Sequence, residues 1–186
     1  QPGRNDVVFT PFDQPEGAVI EVANLRVDDL AADNMAQVVV PPPRELAVAL
    51  VSPQNFLLQT VLEGMPLKSL DVLSGDEFES VAENDELSQY DVIVLEDYAP
   101  DTLPQGRYLT LGTTPPIEGL EEFGTTKQQL IINAEREHPA FRFVTLDDLF
   151  IDSMKLIEPA DDIEILAEAV DGPAILAVRR GPMQII

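Results

Sequence analysis

Apolar and polar positions along this chain fall into two textures, one on each side of Pro41-Pro42-Pro43. Before the prolines, the runs 7–10, 17–22 and 35–40 are short and rich in β-branched residues, with a polar stretch over 28–34 between the last two. Such runs predict strands, and nothing there repeats with the period of a helix. Three short strands without a helix look like part of an antiparallel sandwich whose other strands are missing. Consecutive prolines hold a stiff, extended backbone and cannot continue a ladder. They predict a boundary, with residues 1–42 as a small β appendage plus linker and residues 43–186 as the main domain.

After the boundary, strands and helices alternate. The run 45–51 is almost continuously apolar, as a parallel strand buried on both faces must be. Ser52-Pro53-Gln54-Asn55 supplies loop and cap chemistry, and a helix follows over 56–63, stopped by Gly64 and Pro66. A second strand covers 67–73. Ser74-Gly75-Asp76 then opens a helix over 77–87. A third strand covers 90–95 and ends at Glu96 and Asp97, and a fourth covers 106–112. Short connections and right-handed crossovers turn this order into an α/β fold, a doubly wound, mostly parallel sheet with helices on both faces. Further strand-like runs at 141–144 and 150–157 lead to 163–170, which meets Asp171-Gly172, a strong hairpin signal. The strand 174–178, a turn at Arg180-Gly181 and a last strand at 183–186 complete a C-terminal β-meander.

Charge narrows the partners. Eleven basic residues stand against 34 acidic ones, a formal net charge of −23. Such a surface repels nucleic-acid backbones and anionic membranes alike. The acids are spread along the chain, as on a generically solvated surface. Cysteine is absent, which removes disulfides, thiolate metal sites and thiol nucleophiles together. No apolar run approaches the ~20 residues needed to span a bilayer, so this segment does not itself insert. The chain opens on Gln1 and stops in the apolar run 183–186, from which a longer parent protein is expected.

Several pieces, taken in order, carry a resemblance. They are Asp28-Asp29-Leu30-Ala31-Ala32-Asp33-Asn34, Val38-Val39-Val40-Pro41-Pro42-Pro43-Arg44, Asn55-Phe56-Leu57, Tyr90-Asp91-Val92-Ile93-Val94, Leu103-Pro104-Gln105-Gly106-Arg107-Tyr108-Leu109, Glu137-His138-Pro139, Gly172-Pro173 and Arg179-Arg180-Gly181. Together they resemble bacterial aerotolerance (Bat-type) membrane proteins, which carry a von Willebrand factor A domain. The resemblance implies an immunoglobulin-like β unit followed by a degenerate class I glutamine amidotransferase-like, or flavodoxin-like, domain. It also implies an extracytoplasmic (periplasmic) segment of a membrane-anchored protein, with other domains of the parent or a separate protein as partner.

Catalysis finds no residue set. A class I amidotransferase needs a cysteine on a sharp turn, a histidine base and a carboxylate orienter. Here the matching turn reads Gly112-Thr113-Thr114, and the single histidine, His138, stands before Pro139 in a loop, where its ring is expected to cap a backbone carbonyl. Asp28, Asp29, Asp33 and Asn34 carry calcium-type ligands, but their spacing is not that of an EF-hand loop, so a turn is expected and no metal site. The loop Ser52-Pro53-Gln54-Asn55 holds no glycine to admit a phosphate, and no cofactor is expected. A ligand, if one binds, belongs at the carboxyl ends of the parallel strands. Those ends present Ser52, Asn55, Ser74, Glu96, Asp97, Gly112 and Thr113. Two readings follow: a non-catalytic structural or protein-interaction module, or a small-molecule or cation-binding domain, conceivably a weak hydrolase, using Glu96 and Asp97.

Overall fold

The computed structural model describes residues 16–23, 34–42, 44–53, 56–141 and 144–186. The strand expected over 7–10, the acidic turn at 28–33 and Asn55 lie outside these. Contacts divide the chain into two units, 1–45 and 46–186. In the first, β1 (Ala18–Ala23) and β2 (Met35–Val40) pair antiparallel, Ala18 opposite Val40 and Ala23 opposite Met35.

The second unit is built on one nine-stranded mixed sheet. Its strands are β3 (Ala47–Val51), β4 (Ser69–Leu73), β5 (Val92–Glu96), β6 (Arg107–Leu111), β7 (Leu120–Ala134), β8 (Phe150–Pro159), β9 (Glu164–Ala169), β10 (Gly172–Arg180) and β11 (Met183–Ile185). They stand in the order β4-β3-β5-β6-β11-β10-β9-β7-β8. The ladders from β4 across to β11 are parallel, and those from β11 onward to β8 are antiparallel.

Helix α1 (Phe56–Glu63) links β3 to β4, and α2 (Gly75–Glu83) links β4 to β5. Every residue of β3 is buried, because the two helices cover opposite faces of the sheet. Leu58 and Leu62 of α1 pack on Val48, Leu50 and Val94. Phe78, Val81 and Ala82 of α2 pack on Ala49, Val51, Ile93 and Leu95. Alternate residues of one strand thus serve two cores, as the pleat requires. Leu50 is fully buried, and truncating such a leucine to alanine costs about 2–5 kcal/mol.

The doubly wound α/β fold expected from the sequence is not formed. Among the described residues strand outweighs helix, 48% to 15%, and α1 and α2 are the only α-helices. The strand–helix alternation stops at β5, where a loop carrying Pro100 and Pro104 leads directly to β6. Beyond β6 no stretch is amphipathic at helical spacing, and the chain folds back as hairpins instead.

The C-terminal strands β9, β10 and β11 do pair antiparallel in chain order, as a β-meander does. β11 pairs with β10 on one side and runs parallel to β6 on the other, Gln184 opposite Arg107, so both halves merge into one sheet. The helix expected over 77–87 ends at Glu83, and a short 3-10 turn over Glu86–Gln89 follows Asp85, whose φ is 60°. The strand expected over 141–144 is replaced at its start by a 3-10 turn, Pro139–Phe141.

Candidate functional site

Three parallel strands deliver the expected residues to one edge of the sheet. Ser52 follows β3, Glu96 ends β5 with Asp97 next, and Gly112 and Thr113 follow β6. Asn55 is outside the described residues. Ser52 Oγ donates to Glu96 Oε2 at 2.8 Å, and Glu96 is only 8% exposed. A carboxylate buried to this degree needs such a donor to replace lost water.

Asp97 turns away from that pair. Its φ is 50° and that of Gly112 is 70°, both left-handed. The Asp97 amide donates to the Leu111 carbonyl at 2.9 Å. The Asp97 carboxylate lies over the Gly112 backbone, its Oδ1 2.1 Å from where a Cβ on Gly112 would stand. Only glycine fits there, for reasons of both space and φ. Glu96 and Asp97 therefore engage different partners and do not converge as paired acids. Among the described residues no three His, Asp or Glu side chains come together to hold a metal ion.

The turn beyond Gly112 is occupied by its own contacts. Thr114 donates to Glu122 at 3.0 Å, and Lys155 donates to the same carboxylate at 2.8 Å. The Lys155 ammonium, helped by Thr114, holds the Glu122 carboxyl below the ordinary range. His138 is engaged elsewhere. Its Nδ1 accepts the Ala140 amide at 3.2 Å, Nε2 lies 3.2 Å from Arg179 Nη2, and its ring packs edge-on to Phe141. The ring takes a backbone N–H rather than capping the expected carbonyl. Ser74 serves α2: its Oγ accepts from the Glu77 amide, and the Glu77 carboxylate accepts from the Ser74 amide at 2.8 Å.

Sequence reasoning missed two features. The first is β7, an unassigned stretch that is the longest strand here. Within it Gln129, 5% exposed, donates to Asp171 at 2.8 Å and accepts the Asp171 amide at 3.0 Å, while Thr126 also donates to that carboxylate. The second is the outer side of α1. Phe56, Leu57 and Val61 are 71%, 65% and 62% exposed, whereas a surface helix ordinarily turns charged residues outward. The signal was present in Phe56-Leu57-Leu58-Gln59-Thr60-Val61-Leu62-Glu63, whose apolar residues cover more than the one side that packs, with Gln59 and Glu63 confined to a narrow polar side.

No protein-family profile and no curated protein sequence matches this chain. Among solved structures, the Cytoplasmic Protein STM1381 from Salmonella typhimurium LT2 aligns with a TM-score of 0.53 at 12% identity, covering 91% of this chain and 83% of that one. The Cytoplasmic Protein STM3548 from Salmonella typhimurium aligns with a TM-score of 0.52 at 13% identity, covering 91% of this chain and 82% of that one. The chain is similar to both in fold.

These findings correct the resemblance read from the sequence. No match links the chain to aerotolerance proteins or to a von Willebrand factor A domain, and the mostly β sheet is not an amidotransferase-like or flavodoxin-like α/β fold. The pieces that carried the resemblance were short runs of strand and turn residues, which many strand–turn alternations reproduce. The extracytoplasmic, membrane-anchored placement is withdrawn with it. Both similar structures belong to proteins named as cytoplasmic, and no helix among the described residues is long and apolar enough to cross a membrane.

Proposed function

We propose that this chain is a non-catalytic protein-interaction module that binds a partner through the outer side of α1. One observation carries the reading: Phe56, Leu57 and Val61 stand exposed on a helix whose inner side is already packed. Leaving three large apolar side chains in water forgoes roughly 1.5–3 kcal/mol each of available burial. A partner helix or sheet that covers them recovers part of that. The only charge on α1 is Glu63, at its carboxyl end, and no basic residue balances that end. A partner bringing a lysine or arginine there gains from both the carboxylate and the helix dipole.

Photo-crosslinking in cells tests this. A photo-reactive side chain at position 57 or 61 is expected to give one discrete protein adduct, absent when the group sits at Glu83 on α2. Adducts that are equal at all three positions, or missing from all, would sink the reading.

The cation-binding alternative rests on Glu96 and Asp97, whose carboxylates are turned to Ser52 and to Gly112. Calcium or magnesium in excess is expected to leave the melting temperature unchanged. A ligand-dependent rise in either would favour the alternative instead.

A further inference from the structure

A second surface, on strands remote in sequence from α1, has the features of a docking face. The pleat fixes which residues share it. Gln129 is opposite Ile151, Ile131 is opposite Ala169, and Gln129 and Ala169 are buried. The alternate residues therefore point the other way. Leu130 stands opposite Phe150 on β8; Val170 sits in the turn after β9, and Ile132 lies at the irregularity of the β7–β9 ladder between Ile131 and Asn133, where strict alternation breaks.

These four, Leu130, Phe150, Val170 and Ile132, are 48%, 54%, 63% and 65% exposed. Leu130 and Phe150 form a row across neighbouring strands about 4.8 Å apart, and Val170 and Ile132 add exposed apolar surface to it. At the end of the row a cleft of about 210 Å³ opens, walled by Ile131, Ile132, Phe141, Val144 and Leu146, beside the Arg136–Asp147 ion pair.

Charge selects the occupant. Asp152, two residues along β8 from Phe150, is an exposed carboxylate on the same side of the sheet, and Glu168 on β9 adds a half-buried one that accepts from Asn133 Nδ2 at 3.1 Å. The loop before β8 adds Asp148, also exposed. The whole chain carries −23. A second copy would bring the same acidic rim against this one and be repelled. We infer that this face binds a cationic amphipathic segment of a partner protein. Its apolar side chains cover the row and enter the cleft, and its lysines or arginines meet Asp152 and Glu168. This does not rest on α1 having a partner.

The test uses the full chain and two synthetic helical peptides with identical leucine positions, one with lysine and one with glutamate at every polar position. Fluorescence anisotropy is expected to show saturable one-to-one binding of the leucine–lysine peptide and none of the leucine–glutamate peptide. The variant Leu130→Asn/Ile132→Asn/Phe150→Ser keeps every charge and is expected to weaken binding about tenfold or more, with circular dichroism confirming that it folds. Asp152→Asn/Glu168→Gln, which leaves the apolar row intact, is expected to weaken it by a smaller factor and to flatten its salt dependence.

Leu57→Asn/Val61→Asn is expected to bind like the parent protein. If that α1 variant alone loses the peptide, this inference is overturned while the interaction reading of α1 stands. Equal binding by the triple variant would reduce the effect to bulk charge and overturn it as well. So would a concentration-dependent dimer, seen by sedimentation, that the triple variant abolishes.

Discussion

At Gly112 a missing side chain lets Asp97 close the edge between β5 and β6. Substituting alanine sets a Cβ into the Asp97 carboxylate and forces a non-glycine residue to φ 70°. Gly112→Ala is therefore expected to destabilise the protein by roughly 1–3 kcal/mol, read as a lower urea midpoint. In an Asp97→Gly background the obstructing carboxylate is gone, and the same substitution should cost measurably less. An additive double-mutant cycle would show that the two positions do not act together. Ser52 and Glu96 were within reach of the sequence because strand ends in a parallel sheet fall on one edge. Their bond was not, since it depends on which way the last residue of β5 points. Gln129 was hidden for a different reason. A glutamine amid Thr125, Thr126, Lys127 and Gln128 looks solvated, and only the distant Asp171 turn makes it a buried anchor.

Among the elements, α2 has the most local support. Ser74 and Glu77 form a reciprocal cap, and Tyr98 lies across the first turn, its ring 2.7 Å from where a Cβ on Gly75 would stand. Ser74→Ala is expected to lower stability by about 1 kcal/mol, measured by urea unfolding near neutral pH. The Ser74 backbone and hydroxyl donors hold the Glu77 carboxyl below its usual range. A carboxylate depressed in this way stabilises the fold above its unfolded pKa, and that contribution is lost as pH falls through the folded value. The difference between parent and variant should accordingly shrink in acid. An unchanged difference across that range would mean the cap acts without Glu77.

β3 and β5 were legible because burial on both faces makes them almost continuously apolar, and α1 and α2 because each joins two successive strands. β7 was not legible. Gly124 interrupts it, its first half is largely polar, and its partners change from β8 to β9 at Leu130 and Ile131. Pairing of that kind is set by residues far away in sequence and leaves little local pattern to read.

For the molecule as a whole, all the tyrosines report on the packed state. Burial pushes Tyr90, Tyr98 and Tyr108 up to about 12, with Asp71 adding to the effect at Tyr90 and Glu79 at Tyr98. An acid whose folded pKa is raised keeps its neutral form longer. The stability it lends is complete below the unfolded pKa of about 10 and is lost as pH rises toward 12. Tyrosinate absorbance is therefore expected to rise late and in step with loss of the far-ultraviolet circular dichroism signal. A tyrosine that ionises near its free value while the fold persists would contradict the packing described for it.

The large sheet is joined at its narrowest strand. β11 spans only Met183–Ile185 and holds β6 on one side and β10 on the other. Its partner on β6 is distant in sequence, so this ladder closes a long loop and gains little from local order. The parallel and antiparallel halves meet across a ladder only a few hydrogen bonds wide, but they share one apolar core, in which Ile163, Val178 and Ile185 pack with Phe78, Leu95 and Tyr108. In a hydrogen-exchange view, the shared core binds the two sides of that thin ladder into one cooperative unit. Amides of β11 are therefore expected to stay protected as long as those of β3, and markedly earlier exchange at β11 would show that the ladder opens without the core.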